Sequence, residues 1–166
     1  MTPDSPPKSV RYPEGNVLLR SLAKALPVID RGEVYAISQS GLMAAFSVNT
    51  GERLWSRDIG GIQTPWAAGD YVYVLDNNAR LICLTRKEGK VHWIHQLPQY
   101  ENPEKKVDPI IWAGPVLISD RLVMTSSNGY AEAISPYDGK LAGRVEIPGA
   151  TTIAPIVACC STLPCQ

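Results

Sequence analysis

Apolar and polar positions alternate along this chain in short runs broken by turn-forming residues, a pattern that predicts strands throughout. Tyr71-Val-Tyr-Val-Leu75 is dense in β-branched and aromatic residues, and Asp76-Asn77-Asn78 follows it with side chains that tolerate positive φ. Three stretches can be superimposed: Leu42–Ile59, Arg80–Leu97 and Tyr130–Ile147. In each, an apolar strand runs into a polar turn, then a glycine (Gly51, Gly89, Gly139), then a second short strand. The last turn position calls for a backbone conformation that a residue with Cβ adopts at a cost, so glycine closes each hairpin. Trp55 and Trp93 stand four residues after the first two glycines, whereas Gly143 holds that place in the third stretch.

A second landmark has the same recurrence. Pro27, Pro65 and Pro115 each open a short apolar strand that turns at Gly or Asp into a β-rich strand, and Pro155 begins a further copy. The spacings are 38 residues from Pro27 to Pro65, 50 from Pro65 to Pro115 and 40 from Pro115 to Pro155. A unit of about 40 residues with four short strands is the size of one propeller blade. The expected fold is therefore all-β: a partial β-propeller of three four-stranded antiparallel blades plus the start of a fourth. The expected blades span about 27–59, 61–97 and 112–147, with a fragment at 153–158, inside a unit of 23–158. The surplus of the middle interval falls in Pro98–Trp112, which is charged, rich in proline and expected to be a surface loop.

Gly51, Trp55, Gly89, Trp93 and Gly139 are read as structural blade-motif residues. Each tryptophan should lie across the neighbouring blade and bury a large apolar area there; this reading is preferred to a stacking platform for a ligand. Without a tryptophan at Gly143, the third blade should make a weaker contact.

Composition narrows the picture mainly by exclusion. The formal charge of the 166-residue chain is zero, with no basic stripe that would suggest nucleic acid. No apolar run approaches the roughly 20 residues of a membrane-spanning helix. The opening MTPDSPPKSVRYPEG is polar and is not a signal peptide. Cys83 alternates with apolar neighbours and reads as a buried core residue. Cys159, Cys160 and Cys165 crowd the tail and read as exposed thiols; zinc there would want four ligands, usually in spaced pairs. His92 and His95, three apart in a strand, should point to opposite faces and form no joint metal site. No nucleophile, phosphate-loop or zinc-protease motif occurs. The expectation is no catalytic residue, no cofactor and no metal.

The form A-x-x-x-x-T-G-x-x-x-W, preceded by P-V-(x)-G-x-V-Y, resembles the blade motif of the pyrroloquinoline-quinone-like propellers. Within that superfamily the chain is most similar to the BamB family of outer-membrane assembly lipoproteins. The residues that carry the resemblance are Pro27–Ser38, Ala44–Trp55, Ile59–Leu75, Gly89–Pro98 and Gly114–Gly139. Gly60-Gly-Ile-Gln-Thr-Pro-Trp66, and the insertion before Trp112-Ala-Gly-Pro115, are more specific than the generic motif. The resemblance falls on the last three blades of an eight-bladed ring and the start of the closing one.

The resemblance implies a non-catalytic scaffold at the periplasmic face of the outer membrane. Its implied partners are the periplasmic domains of BamA and unfolded outer-membrane proteins; no partner-binding residue transfers to this chain. Two stretches depart from the family pattern. Residues 1–22 read as an unrelated leader, and 159–166 as an atypical cysteine-containing tail, both suggesting a shifted reading frame or truncation. Two alternatives stand beside the scaffold: a fragment of a quinone-dependent dehydrogenase, which the adjacent Cys159 and Cys160 invite, and a truncated product without independent function.

Three blades do not close a ring. The first and last should expose apolar faces on the order of several hundred Å², a size that marks an interface or an aggregation hazard. Self-association through those faces and marginal stability are expected, with Gly61–Leu97 the best-protected part. If a partner is touched, the insertion is the first place to look, because loops held by a rigid scaffold carry recognition.

Overall fold

The computed structural model describes residues 25–147. The leader, the fragment at 153–158 and the cysteine tail lie outside these described residues. Within them the chain forms strands and turns throughout, grouped in three four-stranded sheets and one two-stranded ribbon.

Blade 1 comprises β1 (Val28–Asp30), β2 (Glu33–Ile37), β3 (Met43–Ser47) and β4 (Arg53–Arg57). Blade 2 comprises β5 (Trp66–Ala68), β6 (Tyr71–Leu75), β7 (Arg80–Thr85) and β8 (Val91–Gln96). The insertion carries β9 (Tyr100–Asn102) and β10 (Val107–Pro109). Blade 3 comprises β11 (Trp112–Ile118), β12 (Arg121–Ser126), β13 (Tyr130–Ile134) and β14 (Leu141–Glu146). Strands pair antiparallel in chain order within every blade. This is a partial β-propeller of three four-stranded blades.

The turns repeat as faithfully as the strands. Between the third and fourth strands the glycine amide donates to a carbonyl four residues back: Gly51 to Ser47, Gly89 to Thr85 and Gly139 to Ser135, at 2.8–3.0 Å. All three glycines have φ near +70° (72°, 63° and 69°), the left-handed region that glycine enters most easily. The turn between the second and third strands is held by a buried polar side chain that accepts an amide hydrogen four residues on. Leu42 donates to Ser38 Oγ, Arg80 to Asp76 Oδ1 and Tyr130 to Ser126 Oγ. A buried oxygen needs such a donor, because desolvation without one is unfavourable.

Blade 2 is apolar on both faces, which explains the near-continuous apolar text of β6 and β7. Val72, Val74, Ile82 and Leu84 pack with Tyr35, Ile37, Met43, Ala45 and Trp55 of blade 1. Tyr73, Leu75, Leu81 and Cys83 pack with Leu122, Met124 and Ile134 of blade 3, joined by Leu97, Ile110 and Trp112. Sheets stacked this way bury one face each at the ends and both in the middle.

Three details differ from the sequence reading. The Pro98–Trp112 segment is not an irregular loop: β9 and β10 pair through Val107–Asn102 and Pro109–Tyr100. Acidic residues are dispersed about one per turn along the sequence, as solvated turns would have them, yet two are buried: Asp76 caps its turn and bonds Arg80, and Glu132 lies 3.5 Å from Arg144. Finally, the β7–β8 ladder shifts register between Cys83 and Leu84, giving β8 an extra residue at His92. His92 then packs on Tyr71, with ring centroids 5.0 Å apart, while His95 pairs with Leu81. Tyr71 and Leu81 both belong to the blade 2–3 side, so the bulge brings the two histidines to one face rather than opposite faces.

Candidate functional site

Antiparallel order gives the stack two unlike ends. At one end stand the first and third hairpin turns of every blade. At the other stand the second turns, the connections between blades and the inserted β9–β10 ribbon.

The first end carries the blade motif. Trp55 leaves β4 and lies on the next blade's hairpin, where a Cβ on Gly89 would sit 2.6 Å from the indole. Its ring N–H donates to the Arg86 carbonyl at 2.6 Å. Trp93 repeats the arrangement on blade 3: a Cβ on Gly139 would sit 2.6 Å from its ring, and its N–H donates to the Pro136 carbonyl at 3.0 Å. Gly89 and Gly139 are therefore constrained twice, by backbone angle and by the flat ring above them. The second constraint is invisible within one repeat, because it links a tryptophan to the following copy. Gly51 shows only the first constraint, with nothing within 4 Å of a Cβ, and Gly143 is likewise open.

Beside the Trp55 contact lies a partly buried ionic cluster around Arg86 that sequence reading missed. The Arg86 guanidinium bonds the Asp30 carboxylate, stands 3.8 Å from Glu33 and lies 5.7 Å over the Tyr35 ring. The Tyr35 hydroxyl donates to Glu33. Burial works against the Arg86 charge, but the Asp30 hydrogen bond and the surrounding Tyr35, Asp30 and Glu33 hold its pKa above the ordinary value. Burial, and the hydrogen bond to Glu33, raise the Tyr35 pKa. Arg86 and Asp30 are 56 residues apart, so only the stacking of blades reveals the pair.

The other end offers shape. The ribbon is strapped to blade 2: Gln99 donates to the Asn78 carbonyl at 2.6 Å, and Trp112 donates to the Pro98 carbonyl at 2.7 Å. Beneath it a cleft of about 360 Å³ is lined by Leu97, Pro98, Tyr100, Pro103 and Lys106. A second cleft of about 190 Å³ lies between the blade connections, with Ile62 and Ile111 at its rim and Leu75 and Trp112 among its walls. Ile111 is 63 % exposed and Val107 45 %. Ala79, Lys106 and Asp108 hold positive φ without being glycine (55°, 51° and 56°), all within or against the insertion. Such backbone is retained where surrounding contacts enforce it.

Among the described residues, no three or more His, Cys, Asp or Glu side chains come together to hold a metal ion. Asp76, the acid of the smaller cleft, is already bonded to Arg80 and two turn amides. Among the described residues the acidic side chains are not grouped as the ligands of a quinone's calcium ion would be, so these residues do not fit that group. Cys159 and Cys160 lie outside the described residues. Cys83 is fully buried, and burial pushes its thiol up to about 12.

Three stacked four-stranded antiparallel sheets, with an indole of blade 1 docked on blade 2 and one of blade 2 docked on blade 3, define a β-propeller segment. The chain belongs to the BamB family: the family model described as "Outer membrane protein assembly factor BamB" matches residues 9–95. That match begins inside the stretch read from the sequence as a leader. A protein of the same description from Moranella endobia (strain PCIT) is 30 % identical over 133 residues, covering 80 % of this chain and 32 % of the relative. This chain spans about a third of the length of the curated relatives it matches. The crystal structure of BamB from Moraxella catarrhalis superimposes with a TM-score of 0.64 at 18 % identity, over 74 % of this chain and 34 % of that one. A quinohemoprotein alcohol dehydrogenase from Comamonas testosteroni superimposes with a TM-score of 0.61 at 19 % identity, over 76 % of this chain and 21 % of that one. At these identities the structural likenesses establish the shared fold.

Proposed function

We propose that this chain is a non-catalytic binding and scaffolding segment that serves the assembly of β-barrel proteins into the outer membrane, working at its periplasmic face. Membership of a family described as an outer-membrane protein assembly factor carries the reading. The architecture suits it: a stack of blades presents an inserted ribbon and two clefts at one end. Gly51, Trp55, Gly89, Trp93 and Gly139 serve to hold blades 27–59, 61–97 and 112–147 in register, and the insertion meets the partner. The partners are the periplasmic domains of BamA and, through the assembly, unfolded outer-membrane proteins.

The test is direct binding. The whole chain is immobilised and titrated with purified BamA periplasmic domains, beside a variant in which 100–109 is replaced by a short glycine-serine turn. Saturable binding that weakens at least tenfold in the variant supports the reading; no saturable binding to the intact chain defeats it. A quinone-binding fragment is the second reading, and the fold shared with a quinohemoprotein dehydrogenase is compatible with it. An absorbance titration with pyrroloquinoline quinone and Ca²⁺ separates them, because the scaffold gives no saturable signal.

A further inference from the structure

The two clefts at the ribbon end differ in their charge. In the smaller, the charged wall residue is Asp76, and its carboxylate is already spent on Arg80 and two turn amides. In the larger, the charged wall residue is Lys106, and its ammonium forms no ion pair with any described residue. No carboxylate lines that cleft: Glu101 and Glu104 of the same hairpin are exposed and lie outside its walls. The Lys106 backbone is fixed in place. It holds a left-handed φ of 51° in the turn between β9 and β10, where the Lys105 amide donates to Asn102 Oδ1 at 3.1 Å. A residue with Cβ keeps such a conformation only where its surroundings enforce it.

The remaining walls are apolar or already satisfied. Leu97, 1 % exposed, lies deepest, and Pro98, Pro103 and the half-buried Tyr100 add rigid, flat surface. The amide N–H groups of Gln96 are spent on the Asn78, Ala79 and Leu97 carbonyls, and that of Gln99 on the Asn78 carbonyl. The cleft thus offers an incoming group one unpaired cation beside an apolar shelf.

We propose that this cleft receives an extended segment of a protein partner in which an aromatic side chain and a carboxylate stand two residues apart. The ring lies against Tyr100, Pro98 and Pro103, and the carboxylate meets Lys106. Charge complementarity selects the anion. The flat walls select a ring, because paired aromatics gain attraction beyond the area they bury. The spacing follows from extended backbone, in which alternate side chains share one face. At about 360 Å³ the cleft is in the range of ordinary ligand sites, about 300–1,000 Å³. A protein segment fits better than a free small molecule because apolar surface continues past the cleft at Val107, which follows Lys106 and is 45 % exposed. This inference rests on the proposed scaffold role, in which the insertion meets the partner, and names what the partner presents there.

Isotope-labelled whole chain is titrated with three blocked peptides, Ser-Phe-Ser-Asp-Ser and its counterparts with asparagine for the aspartate or alanine for the phenylalanine. The first should give saturable amide shifts confined to residues 96–106 and their neighbours. The asparagine peptide should bind about two- to fivefold more weakly, the worth of one exposed ion pair. The alanine peptide should bind at least about tenfold more weakly, as loss of a buried ring demands. Lys106→Glu should abolish the preference for aspartate over asparagine and Lys106→Arg should keep it; unchanged spectra for the three blades show that both variants are folded. Equal binding of all three peptides, an aspartate preference that survives Lys106→Glu, or no saturable shift at millimolar peptide would overturn the inference. The scaffold role is judged separately, by titrating the same chains with BamA periplasmic domains. BamA binding without peptide binding sinks the inference alone, and peptide binding without BamA binding sinks the scaffold role while the cleft's chemistry stands.

Discussion

Blade 2 is held by two seams built on one plan and finished in different chemistry. Each has an indole lying on a glycine and donating to the carbonyl three residues before it. Around that contact the blade 1–2 seam is ionic and polar. Arg86 meets Asp30 and Glu33, Arg57 donates to the Glu88 and Gly89 carbonyls, and Asn77 donates to the Gln39 carbonyl. The blade 2–3 seam is mainly apolar, enlarged by Leu97, Ile110 and Trp112 where the insertion folds back. Its polar links are fewer: Tyr73 O–H and Trp93 N–H to the Pro136 carbonyl, and Gln63 to the Trp112 carbonyl. The difference separates two jobs. The indole sets the distance and register between blades, and the surrounding side chains set how a seam answers to salt and pH.

The largest expected effect comes from removing the shared element. Trp55→Ala deletes a ring that is 7 % exposed together with its hydrogen bond; truncations of this kind cost about 3–5 kcal/mol. Trp93 is only half-buried, so Trp93→Ala should cost less. Denaturant titration should rank them in that order, and equal losses would break the account of the motif.

Next comes the ionic latch. Arg86→Met leaves Asp30 and Glu33 without their cation at the blade 1–2 seam. Asp30 is 37 % and Glu33 21 % exposed, so water relieves part of the loss; about 1–3 kcal/mol is expected. The variant should also lose much of the salt dependence of blade 1 protection in hydrogen exchange, while blade 3 stays as it was. Salt dependence that persists unchanged would show the latch to be idle.

Alkali should sharpen the contrast from the other side. Burial raises the pKa values of Tyr73 and Cys83 at the blade 2–3 seam, Cys83 from 9.0 to about 12, and of Tyr35 at the blade 1–2 seam. A raised acid pKa means that the folded state holds its proton more tightly than the unfolded chain does. That stability is complete below the unfolded value and is lost as pH rises through the folded one. Stability should therefore fall between about pH 9 and 12, with Cys83→Ala softening the decline. Below pH 9 the thiol should resist alkylation until the chain unfolds.

The smallest effect lies on the exposed side of the hairpin turn that receives Trp93. Asp138 is exposed and is held down to about 2 by hydrogen bonds from Ser135 and Lys140. Its contribution is present above pH 3.8 and lost as pH falls toward 2. Asp138→Asn should flatten only that acid limb of a stability profile and change neither seam's protection.

The strands and their grouping were legible because period-two patterning and turn residues are local, and three copies reinforce one another. The insertion hairpin was not, because charge and proline between Pro98 and Trp112 mask two three-residue strands whose pairing depends on straps to Asn78. Arg86 was illegible for a different reason: its partners belong to another blade, and nothing in Leu-Thr-Arg86-Lys marks it as buried. Glu132 is similar, occupying a place that the repeat reserves for an apolar residue (Ile82 in blade 2) and lying beside Arg144. The ring-bearing role of Gly89 and Gly139 had a readable signal: a tryptophan in one repeat precedes a glycine in the next, in both cases.

Residue-resolved hydrogen exchange on the whole chain, wild type beside Trp55→Ala, is the most direct test that indole-on-glycine contacts join otherwise separate blades. The account predicts that β2 and β3 lose protection by a factor of a hundred or more, on the order of 3 kcal/mol of local stability, while β12 and β13 keep theirs. Equal loss across all three blades, or none in blade 1, would contradict it.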